Sequence, residues 1–436
     1  MEIQTPTTTV RQVTRRTVLG AAAAAPVAIF LAACSSGASG SGSESKTLTL
    51  FTYDNAQTAA VLQKQLDVFK SQTGITVTLD TLPGSGAAIF PSKLRTELVG
   101  GKGPDVWRIW GGSIGGPFAQ NQLAADLTPY YKQYGWNKVI PAASVDGMTW
   151  NGKPYGLPLY GTTVTAWYSK NAFTKAGVTT PPTSYAELTA ANDKLLASGI
   201  VPCGLGGEYG WDVMRLFEYL LEKNAGPALH DQLIKGKANW NSAPVVQSFT
   251  ELKEWVDKGW LPKGVMGLDP NNTEPGFAQG KYAYTIAGAW VDSQDIQTAS
   301  DPSAYSTFQL PTDQTPNRHS GWVEGFMINA ASKSPDNAAK LLNFLAQVST
   351  QQALQNTQST VKGAGPDPAK YPASALNAQI GASAPFFTIQ DQALPAQTAN
   401  TFFSLQSQVV LGSITPAQAA AQMEPAIKAG FSSSGS

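Results

Sequence analysis

Two kinds of hydrophobic periodicity alternate between positions 46 and 110. Alternating apolar and polar residues predict strands, and apolar residues recurring every three or four positions predict helices. In chain order the segments are a strand over 47–53, a helix that Gly74 ends, a strand over 75–79, a helix near 91–98 and a strand over 106–110. This order predicts a parallel sheet with helices packed on its faces, so the fold class that we expect is α/β.

Ligands of such sheets bind beyond the carboxyl ends of the strands. Tyr53, Asp54 and Asn55 follow the first predicted strand, and Trp110 ends the third, before an open Gly-Gly-Ser loop. Aromatic rings offer platforms for apolar ligand faces, whereas carboxylates and amides accept and donate hydrogen bonds. We therefore expect these four residues to contact a ligand, and helix capping is the alternative role for Asp54.

The alternation of strands and helices resumes in the second half of the chain. The predicted segments are an extended run over 164–168, helices over 185–197, 213–223 and 245–256, strands over 282–286 and 321–328, and a long helix that begins at 338–345. The 403 residues that follow position 33 exceed what one hydrophobic core usually covers. A second α/β domain is therefore expected.

An uncharged, apolar run close to the amino terminus ends in a cysteine. The run covers 18–33 and is too short and too alanine-rich for a comfortable membrane span. The arginines that precede it are Arg11, Arg15 and Arg16. These features predict a signal peptide over 1–33. Residues 14–19 also resemble a twin-arginine export signal, and an ordinary signal peptide with a chance arginine pair is the alternative.

The residues around Cys34 resemble the cleavage box of a bacterial lipoprotein. Leu31–Ala33 come before the cysteine, and a Gly/Ser-rich run follows it. The resemblance implies that Cys34 becomes the first residue of the mature chain and carries lipid on its sulfur, with the rest of 34–45 as a flexible linker. We therefore expect an extracytoplasmic protein, lipid-anchored to the outer face of the cell membrane.

Charge and composition exclude several functions. Removing residues 1–33 takes three arginines from 30 basic residues and Glu2 from 30 acidic ones, which leaves a net charge of −2 and no basic excess for nucleic acid. With Cys34 lipidated, Cys203 has no disulfide partner, and we expect it to be a small buried apolar side chain rather than a nucleophile. His230 and His319 are the only histidines, which argues against a histidine-built metal site, and no cofactor is expected.

Several segments together resemble the extracellular solute-binding proteins of bacterial ABC importers, in the carbohydrate-binding group that includes maltose-binding protein. The resemblance covers nearly all of residues 46–430. The segments that carry it are 103–107, 151–158 with 167–170 and Phe173, 181–188, 277–281 with 288–290, and 329–354.

The resemblance implies a two-lobed, periplasmic-binding-protein-like fold in which each lobe is discontinuous and a ligand cleft lies at the hinge. The expected N-lobe is 46–158 plus about 317–357, and the expected C-lobe is 159–316 plus about 358–430, before a tail over 431–436. The chain should cross between the lobes near 155–163 and 310–320, with a third crossing after 357. Hinge closure around the ligand is the expected motion.

By the same resemblance, further residues are expected in the cleft. Trp290 lies where the family places a stacking aromatic residue, Tyr209 and Trp211 lie at another aromatic contact, and Trp322 and Glu324 lie beside a crossing. For tryptophans, packing in the core is the alternative role. Phe402 and Phe403 are expected to close the far end. The complete candidate site is Tyr53, Asp54, Asn55, Trp110, Tyr209, Trp211, Trp290, Trp322 and Glu324.

These expectations define a monomeric receptor that binds a neutral sugar, preferably an oligosaccharide, and delivers it to an ABC permease. The first alternative is the same receptor for another solute, such as a glycerol-phosphate ester or a polyamine. A glycoside hydrolase is a remote alternative, for which Asp54, Glu208 and Glu324 would be the candidate carboxylates. A structural lipoprotein or adhesin is the third. The loop 160–163 lacks the acidic residue that relatives carry, so the resemblance does not identify the sugar.

Overall fold

The structure is a computed structural model that describes residues 44–82 and 86–433. The predicted signal peptide, Cys34 and nearly all of the predicted linker therefore lie outside the described residues. Within the described ranges, no helix has the length and apolar character needed to cross a membrane.

Strands of the described residues form a large sheet, a smaller sheet and a short hairpin. In chain order they are β1 (Thr47–Thr52), β2 (Thr76–Thr81), β3 (Val106–Trp110), β4 (Thr149–Trp150), β5 (Lys153–Pro154), β6 (Gly156–Thr163), β7 (Thr165–Ser169), β8 (Val201–Cys203), β9 (Tyr282–Ala287), β10 (Tyr305–Phe308), β11 (His319–Ile328) and β12 (Phe386–Thr388).

Helices follow most of these strands. They are α1 (Ala56–Thr73), α2 (Gly86–Val99), α3 (Gly112–Gln120), α4 (Thr128–Tyr134), α5 (Trp136–Val139), α6 (Ala142–Asp146), α7 (Lys170–Lys175), α8 (Tyr185–Ala197), α9 (Trp211–Ile234), α10 (Ala243–Asp257), α11 (Pro270–Ala278), α12 (Trp290–Gln294), α13 (Pro335–Leu345), α14 (Val348–Ala353), α15 (Pro372–Ser383), α16 (Gln390–Ala393), α17 (Ala396–Val410) and α18 (Pro416–Ser433).

The large sheet has the order β12–β11–β3–β1–β2, and β6 also pairs with β11. The strands β1, β2 and β3 are parallel, as the alternation of strands and helices predicted. The long strand β11 runs antiparallel to β3 and β6. Because β1 and β3 are parallel neighbours, the residues after their carboxyl ends lie at the same edge of the sheet.

The smaller sheet has the order β10–β7–β9–β8 and is mixed, with β8 parallel to β9 and the other pairs antiparallel. The chain passes from the large sheet to the smaller one between β6 and β7 and returns between β10 and β11. The two changes of sheet lie close to the segments near 155–163 and 310–320 where the family resemblance implies crossings, and the crossings themselves stay predictions. The lobe boundaries themselves stay predictions.

Separate hydrophobic clusters cover the two sheets, as expected for a two-lobed α/β fold. Trp107 packs in a cluster of the large sheet and Trp167 in a cluster beside the smaller sheet, and both are fully buried, as predicted. Cys203 is also fully buried, and burial raises the pKa of its thiol well above the ordinary value. The prediction of a buried apolar side chain at Cys203 is thus confirmed.

Several element boundaries differ from the sequence prediction. The helix expected over 213–223 continues to Ile234 because a kink at Gly226, with φ of 70°, joins two helical stretches. The helix expected to be long after Ala338 ends at Leu345. The turn-rich segment over 152–158 contributes to strands. At the carboxyl terminus α18 runs to Ser433, so the predicted tail from 431 begins as helix, and 434–436 lie outside the described residues.

Candidate ligand-binding site

One cavity of about 680 Å³ is lined by all nine residues of the candidate site. Its volume lies within the range of about 300–1,000 Å³ that is typical of small-molecule sites. The site residues come from the end of β1, the end of β3, the start of α9, the start of α12 and the middle of β11. The structure therefore brings together every residue that the sequence proposed, and their role in binding stays a prediction.

Arg108, on β3, organises the wall of the cavity that the large sheet forms. Its Nη1 donates to Asp54 Oδ1 at 2.9 Å, and its Nε and Nη2 donate to Glu324 Oε2 at 3.0 and 2.6 Å. Its guanidinium lies 4.9 Å from the ring centre of Tyr53 and 3.8 Å from that of Tyr160. We call these five residues the Arg108 cluster.

Protonation states within the Arg108 cluster follow from burial and close charges. Burial raises the pKa of Tyr53 well above its ordinary value, and Glu324 raises it further. Burial alone would lower the pKa of Arg108, but the negative charge of the neighbouring Glu324 raises it well above the ordinary value. Tyr53 is therefore a neutral phenol that donates to Glu324 Oε2 at 2.6 Å, and Arg108 is charged.

The rings of Tyr53 and Trp110 stack, with centroids 4.1 Å apart and planes 15° from parallel. Trp110 was predicted as an open platform. Because Tyr53 covers one of its faces, Trp110 has at most one face for a ligand. The two rings form a single aromatic surface rather than two independent platforms.

Arg215, on α9, organises a second wall. Its Nη1 donates to Asp212 Oδ1 at 2.9 Å and to Glu274 Oε1 at 2.8 Å. Its guanidinium lies 4.7 Å from the ring centre of Trp211 and 4.9 Å from that of Trp290. The indole N–H of Trp290 donates to Glu274 Oε2 at 3.0 Å. We call these five residues the Arg215 cluster.

Trp322 joins the two clusters. Its indole N–H donates to Glu324 Oε1 at 3.0 Å, and its ring centroid lies 5.7 Å from that of Trp290. The guanidinium of Arg215 lies 5.9 Å from the Trp322 ring. Since only 7% of Trp322 is exposed, its main contacts are with the two clusters, and only a small part of the side chain is open to the cavity.

The roles considered for two residues need correction. The cap of α1 is Asn55, whose Oδ1 accepts the N–H of Thr58 at 2.9 Å, so the capping role considered for Asp54 is wrong. Asn55 also donates through its amide to Gln294 Oε1 at 3.1 Å, which links α1 to α12. Phe403 lines the cavity as expected, but Phe402 is fully buried in the core and cannot close the site.

Sequence reasoning missed the residues that hold the candidate side chains in place. Arg108 was not among the predicted site residues, although it lies two positions from Trp110 on one strand and therefore shares its face. Arg215 lies one helical turn after Trp211, a spacing that puts both on one face of α9. Glu274 had no local signal, because its contacts with Arg215 and Trp290 are both distant in sequence.

The three carboxylates considered for a glycoside hydrolase do not face one another across the cavity. Asp54 and Glu324 are both bound by Arg108 on one wall, whereas glycoside hydrolysis needs carboxyl groups that flank the scissile bond. Glu208 is exposed and does not line the cavity. Among residues 44–82 and 86–433, no group of His, Cys, Asp and Glu could hold a metal ion.

Comparisons with known proteins agree with this geometry. A family model described as bacterial extracellular solute-binding protein matches residues 53–352. A probable sugar-binding periplasmic protein of Mesorhizobium japonicum is 24% identical over 288 residues, which cover 65% of this chain and 66% of that protein. The structure superposes on a chitin oligosaccharide binding protein with a TM-score of 0.79 at 24% identity, and on a maltose-bound protein of T. maritima with a TM-score of 0.75 at 20% identity. Each superposition covers 88% of this chain and 99% of the other, and at these identities the likeness establishes the two-lobed fold alone.

Proposed function

The chain belongs to the family of bacterial extracellular solute-binding proteins, and on that premise we propose that its cavity binds a sugar, in the form of an oligosaccharide. The observation that carries this proposal is the combination, on both walls, of carboxylates fixed by an arginine with aromatic rings beside them. The names of the M. japonicum relative and of the chitin oligosaccharide binding protein support the same class of ligand.

Sugars match these walls chemically. Ring hydroxyls donate hydrogen bonds, and carboxylate oxygens of Asp54 and Glu324 accept them without reorganisation because Arg108 already holds both groups. The apolar C–H faces of a sugar ring pack against aromatic rings, which Trp110, Trp211 and Trp290 supply. A cavity of about 680 Å³ has room for more than one ring, which favours an oligosaccharide over a monosaccharide.

Phosphate esters fit the cavity less well. Recognition of a phosphate needs arginine or lysine groups whose hydrogen bonds are not already used. Arg108 and Arg215 are each bound by two carboxylates, which leaves the exposed Arg95 as the arginine of the lining that a phosphate could engage. A polyamine is the second candidate ligand, because the lining carries more carboxylates than arginines.

The receptor would act outside the cytoplasm. The predicted signal peptide and the predicted lipid on Cys34 support attachment of the mature chain to the outer face of the cell membrane. Membership of the extracellular solute-binding family supports a role in import, and we propose that the chain delivers its ligand as a monomer to an ABC permease. The family is one of binding proteins, and we propose that the bound sugar leaves the cavity unchanged.

A thermal-shift screen tests this function directly. The mature chain, made with Cys34→Ser to prevent lipidation, would be heated with mono- and oligosaccharides, polyamines and phosphate esters. A ligand at about a hundred times its Kd should stabilise the fold by about 2.7 kcal/mol. We expect a shift with one oligosaccharide series and an intact sugar after long incubation. A shift with polyamines or phosphate esters alone would change the ligand class, and a hydrolysed sugar would establish an enzyme.

A further inference from the structure

Acidic residues outnumber basic residues in the lining of the cavity. The acidic residues of the lining are Asp54, Glu274, Asp295, Glu324 and Asp391, and the basic ones are Arg95, Arg108 and Arg215. Asp212 adds one more carboxylate to the Arg215 cluster from behind the lining. Since Arg108 and Arg215 are each shared by two carboxylates, neither has charge left to neutralise Asp295 or Asp391.

Asp295 is a carboxyl group of the lining that lacks a partner among the described residues. It follows the last residue of α12, is partly buried, and its carboxyl group makes no hydrogen bond or ion pair with a described residue. Asp292, three residues earlier, shows the usual arrangement. Its Oδ1 accepts from Gln297 at 2.9 Å and its Oδ2 accepts from the N–H and the hydroxyl of Ser374 at 3.0 and 2.6 Å.

The surroundings of Asp295 make a positive ligand group favourable there. Burial raises the pKa of Asp295 to about 8, and the negative charge of Glu274 contributes to the same shift. Both carboxyl groups line the cavity, and with this pKa Asp295 holds its proton at pH 7 while the cavity is empty. A cation beside it would favour the ionised form, so that the carboxyl releases its proton as the cation binds.

Asp391 provides a second, independent observation. Its Oδ1 is shielded from solvent and accepts no hydrogen bond from a described residue, although the residue lines the same cavity. Buried polar atoms in folded proteins normally have a partner, so an unsatisfied oxygen at a ligand cavity indicates a missing donor. Burial raises the pKa of this carboxyl to about 6, against the opposing effect of Arg215.

We propose that Asp295 is a specificity-determining residue that receives a protonated amino group of the bound sugar, so that the cavity prefers an amino-bearing oligosaccharide. An ammonium group offers three N–H donors and a positive charge that favours the ionised carboxylate, whereas a hydroxyl offers one donor and no charge. The inference rests on the proposed function and narrows the neutral sugar predicted from sequence to one with a basic nitrogen.

The test compares ligands that differ in one functional group. Isothermal titration of the mature chain would use trimers of glucosamine, N-acetylglucosamine and glucose with the same β-1,4 linkage, together with glucosamine and glucose as monosaccharides. Charge-assisted hydrogen bonds are about twice as strong as neutral ones. We expect the glucosamine ligands to bind about tenfold more tightly than the glucose ligands, and the acetylated trimer to behave like the uncharged one.

Asp295→Asn separates the inference from the proposed function. The substitution keeps the shape of the side chain and removes its ability to ionise, so the ratio of the affinity for the amino trimer to that for the glucose trimer should fall about tenfold. Asp301→Asn is the matched control, because Asp301 is exposed and lies outside the cavity lining. Thermal unfolding of both variants shows whether they fold.

Each outcome has one meaning. Equal affinities for amino and hydroxyl sugars, or an equal loss of both in Asp295→Asn, would overturn the inference and leave a sugar receptor in which Asp295 accepts a hydroxyl. Binding of a linear polyamine but of no sugar would overturn the proposed function and the inference with it. The same holds if no sugar of either kind binds.

Discussion

The two walls of the cavity use the same parts in different settings. Each has an arginine bound by two carboxylates, and in each a glutamate also accepts an indole N–H, Glu324 from Trp322 and Glu274 from Trp290. The Arg108 cluster is built on neighbouring strands of one sheet, whereas the Arg215 cluster joins three helices that are far apart in sequence. Similar chemistry is thus reached once through regular strand register and once through tertiary packing alone.

The two arginines also differ in how fully they are used. Arg108 donates through all three of its guanidinium nitrogens. Arg215 makes its hydrogen bonds through Nη1, and its Nε is buried without a partner. An unsatisfied buried donor is costly, so the Arg215 wall is the less saturated of the two and has more to gain from a ligand.

The largest difference between the two walls is expected when each arginine is replaced in turn. Arg108→Met leaves Asp54 and Glu324 partly or fully buried without their cation, and we expect a loss of about 3–5 kcal/mol in the free energy of unfolding. Arg215→Met should cost less, because burial already raises the pKa of Asp212 to about 8 and the carboxyl can stay protonated. Urea unfolding at pH 7 measures both, and a larger loss for Arg215→Met would reverse the ranking.

A pair of substitutions at Trp290 tests how the Arg215 wall contributes to ligand binding. Trp290→Ala removes an aromatic surface and should weaken sugar binding by about 1–3 kcal/mol. Trp290→Phe retains a ring but loses the hydrogen bond to Glu274, so it should retain part of the affinity. Titration with the sugar found in the screen gives both values. An unchanged Kd for Trp290→Ala would remove this residue from the site.

A buried glutamate on α9, the helix that carries Arg215, predicts that the stability of the fold depends on pH. Glu218, one turn after Arg215, is fully buried, and burial raises its pKa from 4.5 to about 8. The folded state therefore holds this proton more tightly than the unfolded state, so its contribution is complete below pH 4.5 and is lost as the pH rises towards 8. The loss has a slope of at most about 1.4 kcal/mol per pH unit.

Glu218→Gln removes this titration and keeps an oxygen that can accept the N–H of Gln390. The stability of this variant should fall less than that of the unsubstituted chain between pH 5 and pH 8. Urea unfolding at several pH values gives the comparison. Parallel stability profiles for the two proteins would show that Glu218 titrates equally in the folded and unfolded states.

The hydrogen bond between Asn55 and Gln294 should give the smallest effect. It connects the capped end of α1, beside the Arg108 cluster, to α12, which carries Trp290. Gln294→Ala should weaken ligand binding by about 0.5–1.5 kcal/mol if the bond favours the ligand-bound arrangement. Asn55→Ser retains a capping side chain while it removes the same bond. A double-mutant cycle with additive effects would show that the bond does not contribute to binding.

The contrast between the walls also explains which parts of the fold and of the site could be predicted from the sequence. The helix over 185–197 and the strand over 106–110 have the predicted bounds, since their periodicity is regular and their ends carry turn residues. Tyr53 and Trp110 were found together because parallel neighbouring strands place their carboxyl ends at one edge. Glu274 could not be found, because no local pattern encodes contacts between α9, α11 and α12.

An error of one residue in the start of a helix changes the role assigned to a site residue, although it hardly changes the fold. Asp54 and Asn55 are both good capping residues, and only the exact start of α1 decides which of them caps it. Once Asn55 takes that role, Asp54 is available to Arg108. The family resemblance identified Trp290 and Tyr209 as candidates, although neither has a periodic signal of its own. It did not identify Arg108 and Arg215, which hold the aromatic walls.

The distribution of tryptophans has an optical consequence. Trp110, Trp211, Trp290 and Trp322 line the cavity, while Trp107, Trp136, Trp167, Trp240, Trp255 and Trp260 are fully buried elsewhere. Trp211, Trp290 and Trp322 lie against guanidinium or carboxylate groups, and Trp110 stacks on Tyr53. An occupant that changes those contacts alters the emission of these four rings and leaves that of the buried ones nearly constant. The intrinsic fluorescence of the chain is therefore a label-free reporter of an occupied cavity.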